Sequence, residues 1–389
     1  MSNLSKQILS TLQSLFPAPA PLHEPTFQGR EAEYVQDCLQ KGEVSSKGKY
    51  VERFAKMLCD FTGAKYAIPV VNGTAALHLS LLLAGIKRDD EVLVPSLTFV
   101  ATANAVTYCR AIPHFVDVDM KTLGLDPAKL ANYLAKYAGI ERGECFNRIT
   151  RRRIRAILPM HTFGHPVDME PLLEIAKHYH LMVIEDAAQA LGSYYYSQHV
   201  GTFGNCAVLS FNGNKIITTG GGGAILTNDA DLAQSAQHFS TTAKMPMPYE
   251  FIHDQVGYNY RMPNLNAALG CAQMEQLQQL LLQKRRLSKK YQMALFGLTG
   301  VRFVTEQTWA DSNHWLNTLI LDEKFSQELA DILAVTNQAG YEIRPAWTPL
   351  HQLPIYKNCP KMDLSVTENL AKRSINLPSS AHLCKIPSF

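Results

Sequence analysis

The chain has 389 residues, 46% of them apolar and 18% charged, with a formal net charge of +3. That is a globular composition with core enough for two or three domains at ~150 residues each. The basic excess is too small to argue for a polyanion-binding surface, so nucleic acid is not implied, and single phosphates remain as charged ligands to consider.

The segment from residue 16 to 25 carries Pro17, Pro19, Pro21 and Pro25, which makes it extended and sets residues 1–30 apart as an N-terminal arm. A helical pattern over 74–84 stops at Gly85, where a left-handed cap suits glycine. Short apolar runs follow at 91–94, 112–118, 154–158, 182–184, 207–210 and 223–227. Helical patterns at 98–108, 126–134 and 168–179 separate most of them. The alternation predicts an α/β fold, a mostly parallel sheet flanked by helices, for a large domain over 31–263. In such sheets ligands bind at the carboxyl ends of the strands. Tyr194-Tyr195-Tyr196 leads a hairpin turning near 197–199. The texture changes at Asn264, read as the cap of a long connecting helix that runs to about Phe296 and stops at Gly297. Strand, helix and strand patterns at 314–321, 327–339 and 342–344 then predict a smaller α+β domain over 264–389.

The longest apolar stretches, 79–84 and 154–160, fall far short of the ~20 residues that span a bilayer. The first fifteen residues lack a basic-then-apolar leader. Eight cysteines show no metal spacing and read as reduced thiols. The cytoplasm is the expected location, with no membrane partner.

Three local patterns carry chemistry. Glu185-Asp186 closes an apolar run, which places Asp186 at a strand's carboxyl end; the plain alternative is a carboxylate capping the next helix. Lys215 leaves another apolar run in the turn Asn212-Gly213-Asn214-Lys215, with glycines at 220–223 close behind. A lysine desolvated there has a lowered pKa, as an amine nucleophile requires; the plain alternative is a surface-loop lysine. Val71-Asn72-Gly73-Thr74-Ala75 is a turn into a helix start. Its free N–H groups and the Thr74 hydroxyl suit a phosphate, and Thr74 also suits an N-cap. Together a phosphate cradle, an acid at a strand end and a lysine in a glycine-rich turn are the contacts that pyridoxal phosphate needs.

From about residue 22 to 378 the chain resembles the DegT/DnrJ/EryC1/StrS sugar aminotransferases of the fold-type I pyridoxal-phosphate class. The residues that carry the resemblance are 71–77, 90–95, 98–104, Glu185-Asp186-Ala187-Ala188-Gln189, Ser210-Phe211-Asn212-Gly213-Asn214-Lys215 and Gly257-Tyr258-Asn259-Tyr260-Arg261-Met262. It implies Lys215 as the Schiff-base lysine, acting as nucleophile and proton carrier, and Asp186 as partner of the pyridine nitrogen. Gln189 matches the residue near the 3′-oxygen. Gly73, Thr74, the Ala75 N–H and Ser210 match the phosphate contacts, and Phe99 the aromatic stacked on the ring. Asn259 matches an asparagine that reaches the neighbouring subunit's cofactor, which implies a homodimer with shared sites.

A narrower resemblance, over 159–168 and 212–223, is to 4-aminotransferases of legionaminic-acid and bacillosamine-type pathways. It implies a UDP-linked 4-keto-6-deoxy-N-acetylhexosamine as acceptor and L-glutamate as donor. A GDP- or dTDP-linked sugar of the perosamine type is the alternative, and a non-catalytic member of the fold a more distant one. Lys215 speaks against dehydrating relatives that carry histidine there. Arg261, Arg344, His351 and the basic run 284–290 are candidates for a positive group at the mouth, the run reading more simply as a solvated helix face. His161 and His165 read as loop residues over the site, not as metal ligands.

Overall fold

The computed structural model describes residues 2–384. Eleven strands come from the first two thirds of the chain: β1 (Tyr66–Val70), β2 (Glu91–Pro95), β3 (Ile112–Val116), β4 (Ala138–Glu141), β5 (Glu144–Asn147), β6 (Arg153–Ile157), β7 (Met182–Asp186), β8 (Tyr194–Tyr195), β9 (Gln198–His199), β10 (Cys206–Ser210) and β11 (Gly223–Thr227). The main sheet runs β1-β11-β10-β7-β6-β2-β3. From β10 to β3 every neighbour is parallel, and β11 runs antiparallel to both β10 and β1. The reversal brings unlike strand ends to one edge: Gly223, which starts β11, pairs with Ser210 and with Val70, which end theirs. The sequence reading missed the antiparallel hairpin β4–β5, which extends the sheet beside β6.

Alternation along the strands sends side chains to two cores. Leu93, Val183, Leu209 and Leu226 join one cluster, whereas Val92, Ile184, Val208 and Ile225 join the other. The first is covered by α2 (Glu31–Lys41), α3 (Lys49–Thr62) and α7 (Met169–His178), the second by α4 (Gly73–Leu83) and α5 (Val100–Tyr108). Strands buried on both faces read as continuous apolar runs, which is why the sequence showed them so plainly. Helix α6 (Pro127–Tyr137) is capped by Asp126, and α8 (Ala230–Ser240) by Asp229.

Helix α9 (Asn264–Ala294) leads to a four-stranded antiparallel sheet, β12-β14-β16-β15, built from β12 (Val301–Phe303), β14 (Asn317–Leu321), β15 (Arg344–Pro345) and β16 (Ser374–Leu377). The short β13 (Ala310–Asp311) instead joins the β8–β9 hairpin. Asn264 is not the cap expected of it. Pro263 occupies that position, and the Asn264 side chain accepts from Tyr50 N–H and donates to the Glu43 carbonyl, tying down the loop before α3. Residues Asn3–Leu15, placed in the arm by the sequence reading, form helix α1. Its Leu4, Ile8 and Leu12 share a core with Leu319, Ile332 and Ile375, so the chain's first turns pack on its last third, beside α10 (Leu329–Gln338) and α9. The short α11 (Ser365–Ala371) completes the unit. Among the described residues no helix is long and apolar enough to cross a membrane.

One buried charge staples β2 to its surroundings. Glu91 is fully buried and accepts from His114 Nδ1 (2.8 Å), Asn147 Nδ2 (2.9 Å) and Thr150 Oγ1 (2.6 Å). Burial opposes its ionisation, but the bond from His114 leads a set that outweighs it and holds the carboxyl below its ordinary range. A depressed carboxyl stabilises the fold above the unfolded value of ~4.3 and ceases to do so as pH falls through the folded value. Glu91→Ala leaves His114 and Asn147 without their acceptor and is expected to cost about 3 kcal/mol in urea unfolding at neutral pH. The difference from the parent chain should shrink in acid.

Candidate active site

Asp186 ends β7 at the sheet's carboxyl edge, where its N–H donates to the Pro159 carbonyl (2.8 Å). Its Oδ2 accepts from Thr102 Oγ1 on α5 (2.8 Å) and its Oδ1 from the Ala188 N–H (3.2 Å). Burial raises the carboxyl above its ordinary range, with the Thr102 hydrogen bond pulling the other way. Adjacent Glu185 points to the opposite face. It accepts from His161 Nε2 (3.1 Å) and from the Gly201, Phe203 and Gly204 N–H groups, a structural anchor with no capacity left over. His161 is therefore buried beneath the sheet edge and not over the site. His165 is buried too, its ring 5.5 Å from that of His314.

Lys215 lies in the turn after β10, its N–H donating to the Asn212 carbonyl (3.0 Å). Its Nζ sits 4.0 Å from the centroid of the Trp315 ring. Burial lowers the ammonium to about 8, with the Asp186 carboxylate opposing the shift. The Lys215 amine is thus turned into the fold against Trp315, and Asp186 bonds Thr102 besides the Ala188 N–H that a capping acid would take.

Helix α4 starts on the next turn along the edge. Asn72 is its cap, accepting from the Ala75 N–H (2.8 Å), so Thr74 is released from the capping role the sequence allowed it. The Thr74 and Ser210 side chains line the same cavity as Lys215 and form no hydrogen bond with the described residues. The turn is held close to the sheet because Gly223 has no side chain: a Cβ there would lie 2.6 Å from the Asn72 carbonyl carbon.

The cavity holds about 370 Å³ and brings together Gly73, Thr74, Phe99, Asp186, Gln189, Ser210 and Lys215. Gln189 is oriented by its Oε1, which accepts from the Phe163 N–H (2.8 Å). Of the residues singled out in the sequence, Ala75 contributes an N–H already taken by Asn72. Asn259 lies elsewhere, exposed and bridged to Thr241. None of the positive candidates lines the cavity. Arg261 borders a separate cleft, Arg344 bonds Asn337, and His351 is buried between Ser96 (2.8 Å) and Glu368 (3.0 Å). Lys284, read as part of a solvated face, is fully buried and donates to the Trp315 (2.8 Å) and Ser379 carbonyls. Sequence reasoning missed Asn72, Met160, Trp315 and Trp347 as cavity walls. The one signal available was rarity, since two of the chain's three tryptophans are spent here. No group of three metal-ligating side chains occurs among the described residues.

The donors suit a phosphorylated aromatic aldehyde: two unpartnered hydroxyls beside a helix start, a half-buried amine of lowered pKa, and a buried carboxylate across the cavity. A mostly parallel sheet presenting that set at its carboxyl edge is the architecture of fold-type I pyridoxal-phosphate enzymes. The sequence model of the DegT/DnrJ/EryC1/StrS aminotransferase family matches residues 25–386, and the chain belongs to that family. It is 39% identical over 361 residues to a GDP-perosamine synthase of Caulobacter vibrioides, covering 92% of each chain. To a GDP-perosamine synthase of Escherichia coli O157:H7 it is 38% identical, over 92% of this chain and 93% of that one. The Helicobacter pylori aminotransferase PseC, involved in the biosynthesis of pseudoaminic acid, shares the fold with a TM-score of 0.84 at 24% identity, covering 93% of this chain and 94% of that one. The chain is a pyridoxal-phosphate-dependent nucleotide-sugar aminotransferase.

Proposed function

We propose that this enzyme transfers the amino group of L-glutamate to C4 of a nucleotide-linked 4-keto-6-deoxy sugar. The observation that carries the reading is the shared cavity of Lys215 and Asp186. When bound, the cofactor supplies a ring that accepts electrons from the substrate carbon. Lys215 would hold the cofactor covalently, and its amine, when free, would take the proton from glutamate Cα and later return one to the sugar C4. Asp186, anchored by Thr102, holds the proton on the pyridine nitrogen. Thr74, Ser210 and the start of α4 at Gly73 would bind the phosphate, and Phe99 and Gln189 would meet the ring and its 3′-oxygen, whereas the Ala75 N–H is spent on Asn72. Asn259, exposed on its own chain, serves the site of a second copy in a homodimer.

For the nucleotide, a GDP-linked acceptor is the first reading, because the relatives at 39% and 38% identity are named for GDP-perosamine. A UDP-linked acetamido sugar is the second, favoured by the resemblance over 159–168 and 212–223. Incubation with pyridoxal phosphate, glutamate and the 4-keto-6-deoxy sugar linked to GDP, UDP or dTDP, with products resolved by mass, separates them. Conversion of ketone to amine with the GDP sugar alone is the expected result. Preference for the UDP sugar would reverse the order of the two readings, and amination of none would remove the proposal.

A further inference from the structure

Trp315 closes the cavity beside Lys215. Only 5% exposed, it is held at three points. Its Nε1–H donates to the Asn214 carbonyl (2.7 Å), its N–H donates to Asn313 Oδ1 (2.8 Å), and its carbonyl accepts from Lys284 Nζ (2.8 Å). Asn313 also donates through Nδ2 to the Gln189 and Leu191 carbonyls, both at 2.9 Å. The indole is thereby registered against the loop after β7 and against Asn214, the residue next to Lys215. Side-chain amines pinned by a carboxylate have little freedom to move protons. Among the described residues no hydrogen bond or ion pair holds the Lys215 amine, and the indole ring is what it rests on, 4.0 Å from the centroid.

We infer that Trp315 is a positioning residue whose ring face holds the Lys215 amine as a cation whenever that amine is free of the cofactor, between its taking a proton from one carbon and delivering it. The inference rests on Lys215 being the lysine that bears the cofactor. A cation over a desolvated indole face is attracted without being fixed in direction, so the amine keeps its reach toward the cavity. The charged and titratable surroundings leave the task to few groups. The ring of His23, on the arm, tilts against Trp315 at 6.4 Å, and Lys284 lies behind the Trp315 carbonyl. Burial lowers the pKa of both well below their ordinary values, so His23 adds no repelling charge near neutrality and Lys284 gives up its charge more readily than a free lysine. The Asp186 carboxylate and the indole remain to favour the ammonium against its own burial.

The test uses the holoenzyme treated with L-glutamate, which leaves Lys215 free. Labelling by acetic anhydride across a pH series, read from the mass of the Lys215 peptide, gives the pKa of the amine. Trp315→Phe retains a dry aromatic wall with a weaker ring field, and Trp315→Leu removes the ring. The pKa is expected to fall by about half a unit in the first and about one unit in the second, and the alkaline limb of kcat should move with it. An unchanged or raised pKa in Trp315→Phe overturns the inference, since it would make the ring a mere water barrier. If Trp315→Leu fails to fold, Trp315→Phe decides alone. Borohydride reduction of the untreated holoenzyme keeps the two levels apart. An adduct on another lysine overturns both the assignment of Lys215 and the role of Trp315, whereas an adduct on Lys215 with no pKa shift overturns Trp315 alone.

Discussion

Lys215→Ala is expected to lower turnover by about 10⁴-fold, because on the proposed reading it removes the covalent attachment and the proton carrier in one change. The rest of the cavity should survive. Asp186 keeps its bonds to Thr102 and Ala188, and the start of α4 keeps its Asn72 cap, none of which involves the lysine. Cofactor should still bind, more weakly and without a covalent adduct after borohydride reduction. Three measurements check this together: steady-state amination, peptide mass after reduction, and circular dichroism to establish the fold. Turnover within tenfold of the parent would show that another group carries the proton.

Asp186→Asn is the second large effect, with an expected loss of about 10²–10³-fold. The substitution is nearly isosteric and keeps an oxygen for the Thr102 hydroxyl, so the fold should hold. What disappears is the buried negative charge, which in the parent partly offsets the lowering of the Lys215 pKa by burial. Without it the pyridine nitrogen has no anionic partner, and the Lys215 pKa should fall below its present value of about 8. The covalent adduct should still form on Lys215, which distinguishes this variant from Lys215→Ala. Measuring kcat alongside the pH dependence of the cofactor's absorbance tests both parts. A kcat near that of the parent would remove Asp186 from the chemistry.

Much of the site was legible because each piece is a run of neighbouring residues at a strand end. Asp186 follows four residues of β7, and Lys215 stands five residues beyond the end of β10. Thr74 stands at the first turn of α4. Apolar runs, turn residues and capping chemistry are local properties, and a chain displays them without being folded. The order of strands was not local. The reversal of β11 brings Gly223 against Asn72, and only the sheet pairing places those two residues 151 positions apart in contact.

By itself, then, the sequence determined the alternation of strands and helices and the mostly parallel sheet, and it singled out a lysine, an acid and a helix start that line one cavity at its carboxyl edge. Tertiary structure alone decided which distant groups complete and support that edge. Thr102 reaches Asp186 from helix α5, Trp315 comes from a hundred residues beyond Lys215, and Lys284 turns inward from a helix whose composition suggested solvent. Asn3–Leu15 packs on the C-terminal sheet for the same reason. Periodicity and turn chemistry report what a residue asks of its neighbours in the chain. Which partner satisfies a buried amine or an exposed apolar stripe is settled by packing between segments, and that depends on the whole fold.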